Sequence, residues 1–227
     1  VRRKLKSSAG EFGHIDKAAL YETLKNKNFI YEVNKDTCCM VELDESPPES
    51  INKEALKTAL QVSLLLNAKI VGEIQIMRKI VVDGSNVAGF QRTALVSMGG
   101  CIKTSKGSVN IPTICLEEES AKKIKTEESA ITYNLDRLGI PLIEIATDAS
   151  IKDPEHAKEV AEILGMVLKS TGRFKAGLGT IRQDVNVSIK GHPRVELKGF
   201  QDLRSIPKAI ENEIKRQQEN IKNQNLK

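Results

Sequence analysis

The sequence has no tryptophan, and aromatic residues make up only 4% of its 227 residues. Proteins that bind single-stranded nucleic acid without sequence preference stack bases on aromatic side chains, so this composition argues against such a protein. Long apolar runs are also missing, because Asn67 and Lys69 interrupt the best stretch, residues 62–71. A membrane-spanning helix needs about 20 apolar residues, so we expect a soluble protein with no membrane partner.

Cysteine and histidine are scarce, with four and three residues respectively. Cys38 and Cys39 are adjacent, and neither residue type shows the paired spacing of zinc sites. A secreted disulfide scaffold would need more cysteines, so we expect reduced thiols in a cytoplasmic protein. The net charge of +5 lies at the two ends, in residues 2–6 and from residue 204 onward. The body is therefore not a basic nucleic-acid platform.

Hydrophobic periodicity predicts helices alternating with groups of hairpins. A helix after Asp16 and one opening at Asp153 have capping residues at their starts. Antiparallel hairpins should fill residues 70–119, with reversals at residues 83–86 and 106–107. This arrangement predicts an α+β fold with a mostly antiparallel sheet and flanking helices. The predicted helices cover residues 17–25, 52–67, 153–171 and 206–223, and the other predicted strands cover residues 29–33, 38–43, 181–189 and 194–197.

Two acidic stretches carry possible chemistry. Glu144 interrupts an apolar strand, where an unpaired carboxylate is costly, so either a basic partner such as Arg137 or a metal should compensate it. Glu117, Glu118 and Glu119 follow another apolar strand and repel one another unless cations are close. If that strand continues, Glu118 points away from its neighbours. Magnesium favours such oxygen ligands, although a solvated loop end is the alternative interpretation.

A third stretch, residues 182–188, alternates polar and apolar side chains. On a strand, Arg182, Asp184, Asn186 and Ser188 would share one face. That face is either simply solvated or suited to a phosphate and a hydrated cation. Residues 83–93 lack the Gly-Lys-Ser/Thr signature of a P-loop, and no nucleophile elbow is present, so hydrolase and dehydrogenase functions have no support.

Five collinear segments, residues 78–93, 114–119, 135–146, 177–188 and 195–199, resemble the GatB/GatE family of tRNA-dependent amidotransferases. The likeness extends over nearly the whole chain. Asp83-Gly-Ser-Asn86 and residues 42–48 are nearer to the GatE branch than to the GatB branch, which works with GatA.

The resemblance implies an ATP-dependent carbon–nitrogen ligase with glutamine or asparagine as amido donor. Family members transfer the γ-phosphoryl group of ATP to the glutamate of Glu-tRNA(Gln), and ammonia then gives Gln-tRNA(Gln). A GatD subunit, which resembles asparaginases, supplies the ammonia within a hetero-oligomer. Residues 1–227 would form a catalytic cradle domain resembling glutamine synthetase. The alternative is a non-catalytic tRNA-docking or GatD-binding module with the same fold.

The resemblance also implies roles for particular residues. Glu118 and Glu144 would bind Mg²⁺, and both would be catalytic together with Arg182. Residues expected to contact ATP or metal-bound water are Arg182, Asp184 and Asn186, with Lys79, Ser85 and Gln91 as weaker candidates and Glu117 and Lys198 as supporting groups. The family's first strand, with its Gly-Leu-Glu-x-His motif, and its tRNA-binding helical region have no counterpart here. We therefore expect these 227 residues to be inactive by themselves.

Overall fold

A computed structural model describes residues 1–4, 13–177 and 179–224 of the chain. The described part has four α-helices and eleven strands, and none of its helices is long and apolar enough to cross a membrane. In chain order the elements are β1 (Arg2–Arg3), α1 (Lys17–Leu24), β2 (Asn28–Glu32), α2 (Lys53–Leu65), β3 (Lys69–Ile70), β4 (Ile76–Ile80), β5 (Phe90–Thr104), β6 (Gly107–Glu118), β7 (Lys122–Thr126), β8 (Ala130–Asn134), β9 (Pro141–Ala146), α3 (Pro154–Ser170), β10 (Gln183–Val187), β11 (Val195–Phe200), a 3₁₀ turn (Leu203–Ser205) and α4 (Ile206–Gln224).

The α+β prediction is confirmed, and all four helices begin within one residue of the expected position. The helix starts follow from side-chain capping of backbone N–H groups that lack a partner within the helix. Asp16 accepts from the Ala19 N–H at 2.9 Å, and Asn52 accepts from Ala55 at 2.9 Å. Asp153 caps α3 in the same way, with Pro154 at the first helical position.

The strand predicted over residues 38–43 is wrong, because this segment folds into consecutive turns. The Cys38 N–H donates to the Asn34 carbonyl at 3.0 Å, and the Cys39 N–H donates to the Glu42 carboxylate at 2.6 Å. Local side-chain and turn hydrogen bonds satisfy the backbone here, so the segment needs no neighbouring strand.

The chain divides into two compact units. The first unit contains residues 1–59, 71–96 and 114–144, and the second contains residues 60–70, 97–113 and 145–227. A four-stranded sheet of order β1-β2-β8-β7 belongs to the first unit, and its β2–β8 pair is parallel while its other pairs are antiparallel. A five-stranded sheet has the order β3-β5-β6-β9, with β4 paired to β5. The β10–β11 hairpin belongs to the second unit.

The core of the first unit fixes the turn at residues 83–86. Tyr31 and Tyr133 stack with ring centroids 6.1 Å apart, and both are buried. Their hydroxyls donate to the carbonyls of Gly84 at 2.8 Å and Asp83 at 2.9 Å, respectively. Burial raises the pKa of Tyr31 to about 12 and also raises the pKa of Tyr133. Both hydroxyls therefore remain protonated and can donate at neutral pH. The predicted turn is confirmed and is tied to the core by two side chains.

The core of the second unit packs α3 and α4 against the β10–β11 hairpin. Gln217 of α4 is fully buried and bridges the end of β10, since it accepts from the Ile189 N–H and donates to the Val187 carbonyl, both at 3.1 Å. Glu213 lies one turn earlier on the same helix. A hydrogen bond from Arg216 lowers the pKa of Glu213 to about 2.

Among the described glycines of the first unit, Gly84 should tolerate substitution by alanine least. Its φ is +81°, and a Cβ built there would lie 2.2 Å from Cδ1 of buried Phe29. We expect Gly84→Ala to lower the free energy of unfolding by about 2–4 kcal/mol, from the left-handed backbone and the clash together. Gly89→Ala is the matched control, because Gly89 has a φ of +75° but open space around it. Urea denaturation should show that Gly89→Ala lowers the free energy of unfolding by only about 1 kcal/mol. Equal losses in the two variants would contradict a clash between the new Cβ and Phe29.

Candidate functional site

The candidate site lies in the first unit, where β6 ends in three consecutive acids. Strand β5 runs beside β6, and β4 pairs with β5 so that Lys79 lies opposite Gln91 and Met77 opposite Thr93. Residues directly opposite in an antiparallel pair share a face of the sheet. Lys79, Gln91 and Thr93 therefore project from one face.

Glu117 belongs to that same face and is the most enclosed of the three acids. It is only 7% exposed. Its Oε1 accepts a hydrogen bond from Thr93 Oγ1 at 2.9 Å and lies 3.5 Å from Lys79 Nζ. A buried carboxylate needs such compensation, because an unpaired charge in a protein interior is costly.

Glu118 points to the opposite face, as strand alternation predicts, and binds the guanidinium of Arg92. Arg92 Nε donates to Glu118 Oε1 at 2.8 Å, and Nη2 contacts the same oxygen. Nη1 of Arg92 donates to the carbonyl of Glu49, just before α2. Gln91 holds the backbone of the same residue, because its Nε2 donates to the Glu118 carbonyl at 2.6 Å.

Glu119 completes the row and has a third basic neighbour. Arg137 Nη2 lies 3.9 Å from Glu119 Oε1. The Glu119 backbone is also paired, donating to the Ile140 carbonyl at 2.7 Å and accepting from the Gly139 N–H at 2.9 Å. Each of the three acids thus has its own basic residue, and each basic residue comes from a different segment. The three basic side chains offset the repulsion among the three carboxylates that the sequence predicts.

Glu144 lies on β9, the strand next to β6 in the sheet. Glu144 is exposed, so its carboxylate does not pay the cost of burial. The prediction that Glu144 needs a compensating partner because it is buried was therefore wrong. Burial raises the pKa of the Cys115 thiol, and the charges of Glu144 and Glu117 add to the increase. Glu144 is therefore close enough to the end of β6 to act on its electrostatics. Arg137, the basic partner considered for Glu144, contacts Glu119.

A cavity of about 240 Å³ opens beside these acids. Its lining includes Glu117, Glu118 and Arg92, together with the start of α2 at Asn52. Glu117 and Glu118 thus form part of the wall of this cavity.

Within the described parts of the chain, one carboxylate oxygen of Glu118 has no donor and could accept a cation. Both contacts of Arg92 end on Oε1 of Glu118, and both contacts of Glu117 end on its Oε1. In the described parts of the chain no three His, Cys, Asp or Glu side chains form a metal-holding group. Mg²⁺ commonly takes one or two protein carboxylates and completes its shell with water and phosphate. The residues present suit that kind of site.

The other predicted ligands lie in the second unit, on the β10–β11 hairpin. Arg182, Asp184 and Asn186 are exposed and alternate with less exposed residues, which confirms the predicted face. Lys198 Nζ lies 3.1 Å from Glu196 and 3.5 Å from Asp184. These acids raise the pKa of Lys198, the hydrogen bond to Glu196 being the larger cause. The pairing of β10 with β11 is irregular between Gln183 and Val185.

Among the weaker candidates, Lys79 and Gln91 contact the acidic row, whereas the hydroxyl of Ser85 donates to Asp83 Oδ1 at 2.7 Å within its own turn. Sequence reasoning missed Arg92 and Thr93. Three adjacent acids require nearby basic side chains, and alternation along residues 90–94 places Arg92 and Thr93 on opposite faces of the strand. Only the strand pairing, however, shows which acid each residue meets.

Comparison with known proteins now identifies the family. Residues 16–226 match the family model described as the GatB/GatE catalytic domain. The chain belongs to the GatB/GatE family. It is 53% identical over 217 residues to the E subunit of glutamyl-tRNA(Gln) amidotransferase from Methanococcus maripaludis strain C7 and, equally, to that from Methanocaldococcus jannaschii. The protein of the same name from Pyrococcus furiosus is 52% identical over 216 residues.

These alignments cover 95–96% of this chain but 34% of each of the three relatives. The chain thus spans about a third of the length of the GatB/GatE proteins that it matches.

The Arg92–Glu118 pair should show strong energetic coupling, because its side chains are only 20% and 27% exposed. We expect a double-mutant cycle with Arg92→Gln and Glu118→Gln to give about 1–2 kcal/mol of coupling in the free energy of unfolding. The Lys208–Glu211 pair, whose side chains are 70% and 49% exposed, is the control and should give below about 0.5 kcal/mol. Additive effects at Arg92 and Glu118 would show that the pair does not hold the site together.

Proposed function

We propose that this chain is the catalytic domain of a tRNA-dependent amidotransferase subunit that converts Glu-tRNA(Gln) to Gln-tRNA(Gln) at the expense of ATP. The observation that carries the proposal is the row of three acids, two of which line a cavity, with a separate basic side chain beside each acid. Membership of the GatB/GatE family and the names of the relatives support the substrate.

The proposed reaction has two steps. In the first, a side-chain carboxylate oxygen of the tRNA-bound glutamate attacks the γ-phosphorus of ATP, and ADP leaves with the bridging oxygen. In the second, ammonia attacks the acyl carbon, phosphate leaves, and the nitrogen loses a proton to give the amide. Phosphoryl transfer depends mainly on positioning and on neutralising phosphate oxygens, so bound cations and basic side chains are the parts required.

Glu118 and Glu144 are the proposed Mg²⁺ ligands. Mg²⁺, when bound, would neutralise phosphate charge. Glu118 can offer Oε2 while Arg92 continues to hold Oε1, so the carboxylate need not reorganise when a cation arrives. Glu117, fixed by Thr93 and Lys79, supports the site through its charge.

The exposed face of the β10–β11 hairpin is the proposed source of further nucleotide contacts. Arg182 would approach phosphate, while Asp184 and Asn186 would hold metal-bound water. Lys198 lies 3.5 Å from Asp184 and would add positive charge beside that carboxylate. Lys79, Ser85 and Gln91 remain weaker candidates for contacts with ATP.

The partners follow from the proposed reaction. A protein that uses free ammonia needs a source for it, and we propose a GatD subunit, which resembles asparaginases, within a cytoplasmic hetero-oligomer. The enzyme would then be a carbon–nitrogen ligase with glutamine or asparagine as amido donor. The alternative function, a non-catalytic tRNA-docking or GatD-binding module, would not require Glu118 and Glu144 to bind a cation.

The direct test is ATP-dependent conversion of Glu-tRNA(Gln) by the full-length protein, with free ammonium supplied so that GatD is not needed. We expect Glu118→Gln to reduce the rate of conversion at least about 100-fold, the effect typical of losing a group that stabilises transition-state charge. Glu128→Gln, which alters an exposed acid beyond β7, is the matched control and should leave the rate unchanged.

A wild-type protein that converts no substrate would support the non-catalytic module. A Glu118→Gln variant with normal turnover would move the site to Glu144 and the strand that carries Arg182. Circular dichroism of each variant should confirm that the fold is retained.

A further inference from the structure

Strand β7 carries a concentration of positive charge that the proposed catalytic site does not use. Lys122, Lys123 and Lys125 fall within five residues, and all five residues of the strand are exposed. The strand lies at the edge of the four-stranded sheet of the first unit. Lysines on an edge strand commonly prevent sheets from pairing with one another, so their presence alone carries no function.

An irregularity in β7 arranges these lysines in a way that edge protection does not require. Lys122 pairs with Asn134 and Lys125 with Thr132, although they are separated by three positions along their own strand. Regular alternation would put them on opposite faces. The register shift between Lys123 and Lys125 inserts one residue, so both side chains come to the same face.

The face that receives both lysines is the one opposite the core. Tyr31 and Tyr133 point into the core, so Thr132 and Asn134 point outward. We call the side of the four-stranded sheet that carries Lys122, Lys125, Thr132 and Asn134 the outward face. Lys123 belongs to the other side, where its Nζ lies 6.0 Å from the centre of the Tyr133 ring.

Arg2 adds a third positive charge to the outward face, and Glu32, which pairs with Asn134, adds one exposed carboxylate. It pairs with Ile30, which pairs with Thr132, so Arg2 and Lys125 stand at the two ends of one row across the sheet. Within the described residues, neither Arg2 nor Lys122 has an acidic partner at ion-pair distance. Lys125 contacts Glu127, but both side chains are well exposed, at 65% and 47%, so the pair is weak and exchangeable.

We propose that the outward face binds the phosphate backbone of a base-paired RNA stem, and this inference rests on the proposed tRNA substrate. Lys122 and Lys125 stand two residues apart along the partner strand, or about 7 Å, which suits neighbouring phosphates of one strand. The Thr132 hydroxyl lies in the row that ends at Lys125 and Arg2, and a hydroxyl is an ordinary phosphate contact. Asn134 lies between Lys122 and Glu32, so we expect the phosphates to lie on the Lys122 and Thr132 side of that acid. No aromatic residue stands among these outward-facing positions, so stacking on unpaired bases is not available.

The test compares single substitutions that remove the same charge from opposite faces of one strand. The probe is unacylated tRNA(Gln), bound to the full-length protein without ATP over a range of KCl concentrations. Removing one phosphate contact should reduce the slope of log K against log salt by about 0.7–0.9. We expect this reduction, with weaker binding, for Lys122→Gln and for Lys125→Gln.

Lys123→Gln is the matched control, because it removes the same charge from the same strand but from the side facing Tyr133. We expect it to change the salt slope by less than half as much. Equal effects at all three lysines would overturn the proposal in favour of a non-directional charge effect, and so would unchanged binding at Lys122 and Lys125. Single-stranded RNA of equal length should bind more weakly than the tRNA; tighter binding of the single strand would also contradict a stem-binding face.

The outcome can be separated from that of the proposed catalysis. Ammonium-dependent conversion at saturating tRNA should be normal in the Lys122 and Lys125 variants, with only the KM for tRNA raised. If the wild type binds tRNA through this face but converts nothing, the RNA contact stands and the catalytic proposal fails. If it converts substrate and the lysine variants bind tRNA normally, only the RNA face is wrong.

Discussion

The pairing of three consecutive carboxylates with three separate basic side chains is the interaction on which the candidate site depends. Glu117, Glu118 and Glu119 would repel one another at the end of an isolated strand. The fold places Lys79, Arg92 and Arg137 beside them, each from a different segment of the first unit. The acids are therefore held in fixed positions before any ligand arrives, and the proposed phosphoryl transfer would depend on such preorganisation.

Strand alternation gives the two enclosed acids different tasks. Glu117 faces Thr93 and Lys79 and is buried. Glu118 faces Arg92 and keeps one carboxylate oxygen without a donor among the described residues. In the proposed site one acid would contribute fixed negative charge, while the next would accept a cation. The tyrosine-anchored turn at residues 83–86 joins β4 to β5, so the core of the unit also fixes the strands that carry Lys79 and Arg92.

Much of this fold could be predicted because its signals are local. Asp16, Asn52 and Asp153 mark helix starts through capping, and polar alternation gave the exposed face of β10 correctly. Residues 38–43 misled the prediction because their mostly apolar composition suggested a strand, whereas hydrogen bonds to Asn34 and Glu42 form turns. The partners of the acids could not be predicted, since Arg92 meets Glu118 only through the register of non-local strands. The register shift in β7 is likewise invisible in the sequence.

The central claim is that Glu118 binds the cation that accompanies ATP, while Arg92 holds the Glu118 carboxylate in place. Calorimetric titration of the full-length protein with Mg²⁺ and ATP tests this most directly, without tRNA or ammonia. The account predicts binding to the wild type and at least about tenfold weaker binding to Glu118→Gln, a loss of about 1.4 kcal/mol. Equal affinity in the variant, with its fold retained, would contradict the account.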